Sequence, residues 1–199
     1  MNYWRIEYKL GGKDKYNQES SLKTIYERYC KHLNIDKNTF SGKIVVDVGC
    51  GPRGSLHYFN AKLKIGVDPF ANFYRKYFKV DKQNMIYVHA SAERIPINNE
   101  FADYVISHNA LDHVDNFNQS IKEIHRILKP EGKIIFQLNF NKKPTINEPI
   151  VLNKAIVKNT LEPYFEYQIE NEVFTQEYRH FGSYILIKGK KINKNKKSN

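Results

Sequence analysis

The residues best placed to do chemistry sit directly behind a short apolar run. In Val46-Asp47-Val48-Gly49-Cys50-Gly51-Pro52-Arg53-Gly54, the glycines 49, 51 and 54 fit G-x-G-x-x-G. Asp68 follows about 20 residues later, where a dinucleotide-binding loop places its ribose acceptor. Such a loop holds pyrophosphate through backbone N–H groups and a helix N-terminus, because the ligand is anionic. Asp47 opposes that chemistry. Its carboxylate stands two residues before the first glycine, facing the same ligand, where a fixed negative charge repels pyrophosphate and suits an ammonium group. The loop is therefore expected to take a ligand that carries an amine where a dinucleotide carries phosphate.

S-adenosylmethionine has such an amine, and a ribose diol that Asp68 can accept from. Val46 to Pro52 resembles motif I of the class I S-adenosylmethionine-dependent methyltransferases, and Gly66-Val67-Asp68-Pro69 resembles motif II. Ser91-Ala92-Glu93-Arg94-Ile95-Pro96 is similar to the adenine-contacting stretch after the third strand. The run Asp103 to Val114, with His108, Asn109 and the trailing His113-Val114, resembles motif IV, and Leu128-Lys129-Pro130-Glu131-Gly132 resembles the turn before the fifth strand. Each motif is weak alone; five in the right order, over about residues 40–140, are specific. Two departures stand out. Pro52-Arg53 replaces the family's third glycine, which alters the turn into the helix and offers Arg53 as a donor near the cofactor carboxylate. Glu131 replaces a turn glycine, read as a surface change of little consequence.

The resemblance implies cofactor contacts from Asp47, Gly49, Cys50, Gly51, Asp68, Pro69, Ser91, Ala92, Glu93 and Asn109. Asp47 would hold the ammonium, Asp68 the ribose, Ser91 to Glu93 the adenine edge, and Asn109 the methionine portion or the acceptor. Each has a plainer alternative. Asp47 can cap the glycine turn, Asp68 can fix a turn with Pro69, Ser91 to Glu93 can start a helical turn, and Cys50 reads as a small packing residue. Methyl transfer is an in-line displacement at carbon, so the protein must mainly align and desolvate the acceptor. A hydroxyl or ammonium acceptor also needs a base. Motif IV makes His113 the first candidate and His108 the second, with Asp112 and Asp115 as nearby alternatives or orienting groups; a purely structural His113 is at least an equal reading. The two histidines are five apart, unlike a helical i, i+4 ligand pair, and there is no Cys pair or His-Glu-x-x-His, so no metal is expected.

The positioning elements follow from periodicity. Leu22, Ile25, Tyr26, Tyr29 and Leu33 mark an amphipathic helix in an N-terminal cap over residues 1–40. Strands are expected at Lys43–Val48, Lys64–Val67, Met85–Val88, Asp103–Ser107 and Lys133–Leu138, all short and apolar as strands covered on both faces should be. Tyr74, Tyr77 and Phe78 mark one helix. Ile121, Ile124, Ile127 and Leu128 mark another, stopped by Pro130, and Leu152, Ala155 and Ile156 suggest a third near residues 149–161. Tyr164–Val173 alternates apolar with polar residues, and Ser183–Lys188 can pair with it. The whole reads as an α/β, doubly wound, Rossmann-like sheet of seven strands with an antiparallel edge strand and helices on both faces. The core would span residues 41–187 of a single domain.

Composition limits the alternatives. A chain of 199 residues with 41% hydrophobic residues can build a core unaided, and two cysteines are too few for a secreted disulfide framework. With no apolar run of membrane-spanning length, a soluble, cytoplasmic protein is expected. The net charge of +11 invites a nucleic-acid partner, but six of those charges are lysines within residues 188–199, read as a solvated, disordered tail; five remain on the rest. The strand-four region lacks Asn-Pro-Pro-Tyr, and no catalytic-cysteine motif appears, so a small-molecule acceptor is favoured over nucleic acid, with O-, N- or C-methylation left open. Residues 1–40 and 139–163 are expected to recognise the acceptor, and Tyr3, Trp4, Tyr8, Tyr16, Phe140 and Tyr164 could wall it, although ordinary packing is the favoured reading for most of them. The competing functions are an NAD-dependent oxidoreductase using the same loop, and a non-enzymatic S-adenosylmethionine- or polyanion-binding protein.

Overall fold

The computed structural model describes residues 19–52, 56–78, 80, 84–140, 143–144, 149–173 and 183–193. Among them are four helices, α1 (Glu19–Leu33), α2 (Ala71–Tyr77), α3 (Phe117–Ile127) and α4 (Lys154–Leu161). The strands are β1 (Ile44–Val48), β2 (Leu63–Asp68), β3 (Ile86–His89), β4 (Ala102–His108), β5 (Leu128–Phe140), β6 (Phe165–Val173) and β7 (Ser183–Lys191). They form one sheet in the order β3-β2-β1-β4-β5-β7-β6. The first five run parallel, and β7 is antiparallel to both neighbours, inserted between β5 and the outermost strand β6. Strand order reverses between β1 and β4, the place where an open α/β sheet leaves a crevice above its carboxyl ends.

Alternation along the strands divides the core into two faces. Val46, Val48, Val105, Ile134 and Phe136 pack against α3 and α4 through Phe117, Ile121, Ile124, Val157 and Leu161. On the other face Val45, Ile106, Ile135 and Leu186 meet Tyr29 and Leu33 of α1, while Ala71 and Tyr74 of α2 pack with Cys50 and Tyr87. The helices start and stop for local reasons. Asn116 and Asn153 cap α3 and α4 by accepting from the amides of Gln119 and Ile156. Helix α3 ends at Ile127 because Pro130 disfavours helical backbone before it. The first crossover is compact. Residues 56–58 form turns rather than a helix, and the buried Lys64 ammonium donates to the carbonyls of His57 (3.0 Å) and Phe59 (3.3 Å).

The expected boundary at residue 187 moves. Strand β7 continues to Lys191, so Lys188, Lys190 and Lys191 belong to the sheet and not to a solvated tail. The acids that balance them lie across the fold and not in the adjacent sequence. Lys188 pairs with Glu170 at 2.8 Å, Lys190 with Glu131 at 2.6 Å, and the buried Lys191 donates to the Leu128 carbonyl at 2.7 Å. Glu131 thereby gains a role that a surface substitution would lack, and it holds φ +64, a left-handed conformation that costs a non-glycine residue about 1–2 kcal/mol. Residues 194–199, Arg53, Gly54, Tyr3, Trp4, Tyr8 and Tyr16, and the side chains of Leu22 and Ile25, lie outside what is described. Truncation before Lys188 is expected to abolish cooperative thermal unfolding, because it removes the end of β7. Lys190→Ala, which loses only an exposed ion pair, should leave Tm nearly unchanged.

Candidate functional site

The crevice is built on the end of β1. Asp47 has no solvent exposure. It shares a sheet face with Val45 and lies opposite Gly66 of β2 and Ile106 of β4. The Tyr29 hydroxyl, from α1, donates to its Oδ2 at 3.3 Å. After Val48 the chain turns back over β2, with the amides of Gly49 and Cys50 directed at the Val67 carbonyl, 2.8 and 3.4 Å away. Gly49 has φ +78, and a Cβ there would fall 2.2 Å from the Ala110 Cβ, so the first glycine is required by backbone and by space. Gly51 has φ +61, and among the described residues no atom would meet a Cβ there within 4 Å. Cys50 is buried, and its thiol is pushed well up first by burial and then by the carboxylates of Asp68 and Asp47. A thiol held protonated in this way is a poor nucleophile.

Asp68 closes β2 and is nearly buried. Its Oδ2 accepts from the Gly51 amide at 3.0 Å and its Oδ1 from the Phe70 amide at 2.9 Å, so it shapes both the glycine loop and the turn containing Pro69. Burial raises its pKa, with those two amides opposing. Each oxygen keeps a lone pair for a further donor. Beyond β3, Ser91 is exposed, Ala92 is buried, and Glu93 is half-buried with its Oε1 accepting from the amides of Asp115 (2.8 Å) and Asn116 (3.1 Å). Glu93 thus ties the stretch after β3 to the loop after β4. Arg126 and Glu123 of α3 brace the same stretch, through the Ile95 and Ile97 carbonyls and the Ile95 amide.

The two histidines separate. His108, at the end of β4, packs its ring on Tyr29, with centroids 4.7 Å apart, and its Nε2 lies 2.9 Å from Nδ1 of His32 on α1. Its surroundings push its pKa down to about 3, through desolvation and then the charges of His32 and Arg28. His113 is exposed, with Nε2 3.8 Å from Oδ1 of the buried Asp112. Asn109 has φ +52, and its Oδ1 accepts from Asn139, whose own Oδ1 accepts from Gln137. This buried amide chain escaped the sequence reading, as did Tyr29 and His32. Its signal was present: Gln137 and Asn139 interrupt an otherwise apolar strand at i, i+2, on one face. Tyr164, a candidate wall of the acceptor, packs on His125 of α3, with ring centroids 5.1 Å apart. Among the described residues no helix is long and apolar enough to cross a membrane, and no group of three His, Cys, Asp or Glu side chains could hold a metal.

Residues 46–136 match the family described as methyltransferase domain. Over that stretch the chain carries a methyltransferase domain. An uncharacterized protein of Methanocaldococcus jannaschii is 31% identical over 134 residues, covering 64% of this chain and 51% of that protein. The malonyl-[acyl-carrier protein] O-methyltransferase of Buchnera aphidicola is 27% identical over 153 residues, covering 70% of this chain and 60% of the enzyme. The chain therefore spans about half to three fifths of the length of these curated relatives. A chain solved in the Haloferax volcanii complex of the Trm112 methyltransferase activator with a methyltransferase shares the fold, with TM-score 0.68 and 16% identity, over 91% of this chain and 98% of that one.

Two expectations follow for the methyltransferase domain. Gly49→Ala should destabilise it more than Gly51→Ala in urea denaturation: both pay about 1–2 kcal/mol for left-handed backbone, and only Gly49→Ala adds the overlap with Ala110. His108 has a folded-state pKa below its ordinary value of 6.5. The unfolded chain therefore binds a proton between about 6.5 and about 3 that the folded one refuses, so stability is full above that window and falls with pH through it. His108→Gln should flatten this acid limb of a stability-pH profile.

Proposed function

We propose that the domain binds S-adenosylmethionine and transfers its methyl group to a small-molecule acceptor. The observation that carries this reading is the fully buried carboxylate of Asp47 at the switch point, directly before a glycine turn where a Cβ at Gly51 would meet no described atom within 4 Å. A buried carboxylate is costly unless it meets a cation or strong donors. The cofactor's ammonium supplies a cation there, whereas a pyrophosphate would add repulsion to the cost. Asp68, with both oxygens already oriented by backbone amides, is set to accept from the ribose hydroxyls, and Ala92 offers an apolar surface to the adenine. The curated relative named for malonyl-[acyl-carrier protein] supports an acceptor other than nucleic acid.

When bound, the cofactor supplies an electrophilic methyl group on a sulfonium. The chain's own task is to align the acceptor, exclude water and take up any proton the acceptor loses. His113 suits the last task better than His108. The His108 Nε2 is engaged with His32, and a group pushed down to about 3 is a weak base at neutral pH. His113 is exposed in the loop after β4, with its Nε2 3.8 Å from Oδ1 of Asp112.

Thermal unfolding with added ligand tests the reading. S-adenosylhomocysteine should stabilise the protein by about 2.7 kcal/mol at a hundredfold excess over Kd, Asp47→Asn should abolish that effect, and Asp68→Ala should weaken it. Stabilisation by NADH without any by S-adenosylhomocysteine would establish the oxidoreductase reading instead.

A further inference from the structure

Helix α1 reaches the proposed cofactor site with a side chain whose packing role does not require its polar atom. Tyr29 is 5% exposed and sits in the apolar cluster with Leu33, Val45, Ile106 and Ile135. A phenylalanine would fill that space equally well. The hydroxyl is spent on Asp47 Oδ2, and the same ring forms one wall for His108. One turn along the helix, His32 stacks on His108 with ring centroids 5.2 Å apart and shares a hydrogen bond with it. Residues at i and i+3 lie on one helix face. That face of α1 thus contacts both the residue expected to meet the cofactor and the histidine at the end of β4.

We propose that Tyr29 is a positioning residue of the cofactor site: its hydroxyl holds the Asp47 carboxylate charged and oriented for the cofactor's ammonium, while its ring seats His108. This rests on the methyltransferase reading above. The need for such a donor is electrostatic. Asp47 on β1 and Asp68 on β2 are both buried carboxylates, and both raise the pKa of the Cys50 thiol. Like charges and burial each favour the protonated acid, and a hydrogen bond to the charged form opposes both. The titratable groups around Asp47 are Tyr29 from α1, Cys50 from the glycine loop, Asp68 from β2, and His108 of β4 behind the Tyr29 ring. Among these, Tyr29 is the neutral donor whose hydrogen bond to Asp47 is made directly.

Calorimetric titration of S-adenosylhomocysteine between pH 4.5 and 8 tests this on wild type and Tyr29→Phe. The acid limb of affinity should move up by about one pH unit in the variant, the shift expected from losing one hydrogen bond to a charged group. A merely structural tyrosine would lower Tm and leave the limb in place. If Tyr29→Phe folds poorly, 3-fluorotyrosine placed at position 29 keeps the shape, donates more strongly, and should move the limb down. Superimposable curves for wild type and either variant overturn the inference alone. A wild-type protein that binds no S-adenosylhomocysteine at any pH overturns the methyltransferase reading as well.

Discussion

A carboxylate without solvent exposure stands where the strand order reverses, and the surrounding structure answers to it. Removing a charge from water costs several kcal/mol unless partners replace the solvent. At Asp47 the partners come from elements far apart in sequence, foremost the phenol of Tyr29, 18 residues earlier on α1. Strand β4 is held beside β1 at the same level by Ser107, whose hydroxyl donates to the Val48 carbonyl at 2.8 Å. The left-handed turn at Gly49 then lets the loop pass over β2 with Ala110 pressed against the missing side chain. Under the proposed function, these contacts would orient Asp47 and the glycine turn before any ligand arrives.

The groups at the ends of β4 and β5 have different chemistry. Amides from Asn109, Asn139 and Gln137, the imidazoles of His32 and His108, and Tyr184 paired across from Asn139 gather at the carboxyl ends of β4 and β5 beneath α1. None of these side chains carries a formal charge when the histidines are neutral, and burial lowers the pKa of both. Under the proposed function the division of labour is electrostatic: carboxylates would face the cofactor and neutral hydrogen-bonding groups the space beyond it.

Much of this was legible from the residues. The parallel strands announced themselves as short apolar runs, and Asp47, Gly49, Gly51 and Asp68 could be placed because local spacing dictates their backbone geometry. What escaped depends on contacts remote in sequence. Tyr29 looked like one more apolar position of an amphipathic helix, since periodicity is blind to a hydroxyl. Lys188, Lys190 and Lys191 looked like a solvated tail because their counter-charges, Glu170 and Glu131, and the Leu128 carbonyl belong to other strands. Motif IV ranked His113 ahead of His108 but carried no information on which of them is enclosed. Only the packing of α1 shows that one is enclosed and the other open.

The central claim is that Asp47 is a cation's partner and the glycine turn its doorway. A crystal structure of the complex with S-adenosylhomocysteine tests it directly. The account predicts the ligand's ammonium within hydrogen-bond reach of Asp47, directly or through one water, its ribose hydroxyls on Asp68, and its sulfur pointing toward Asn109 and the loop after β4. An ammonium placed away from Asp47, with no ribose hydroxyl on Asp68, would contradict it.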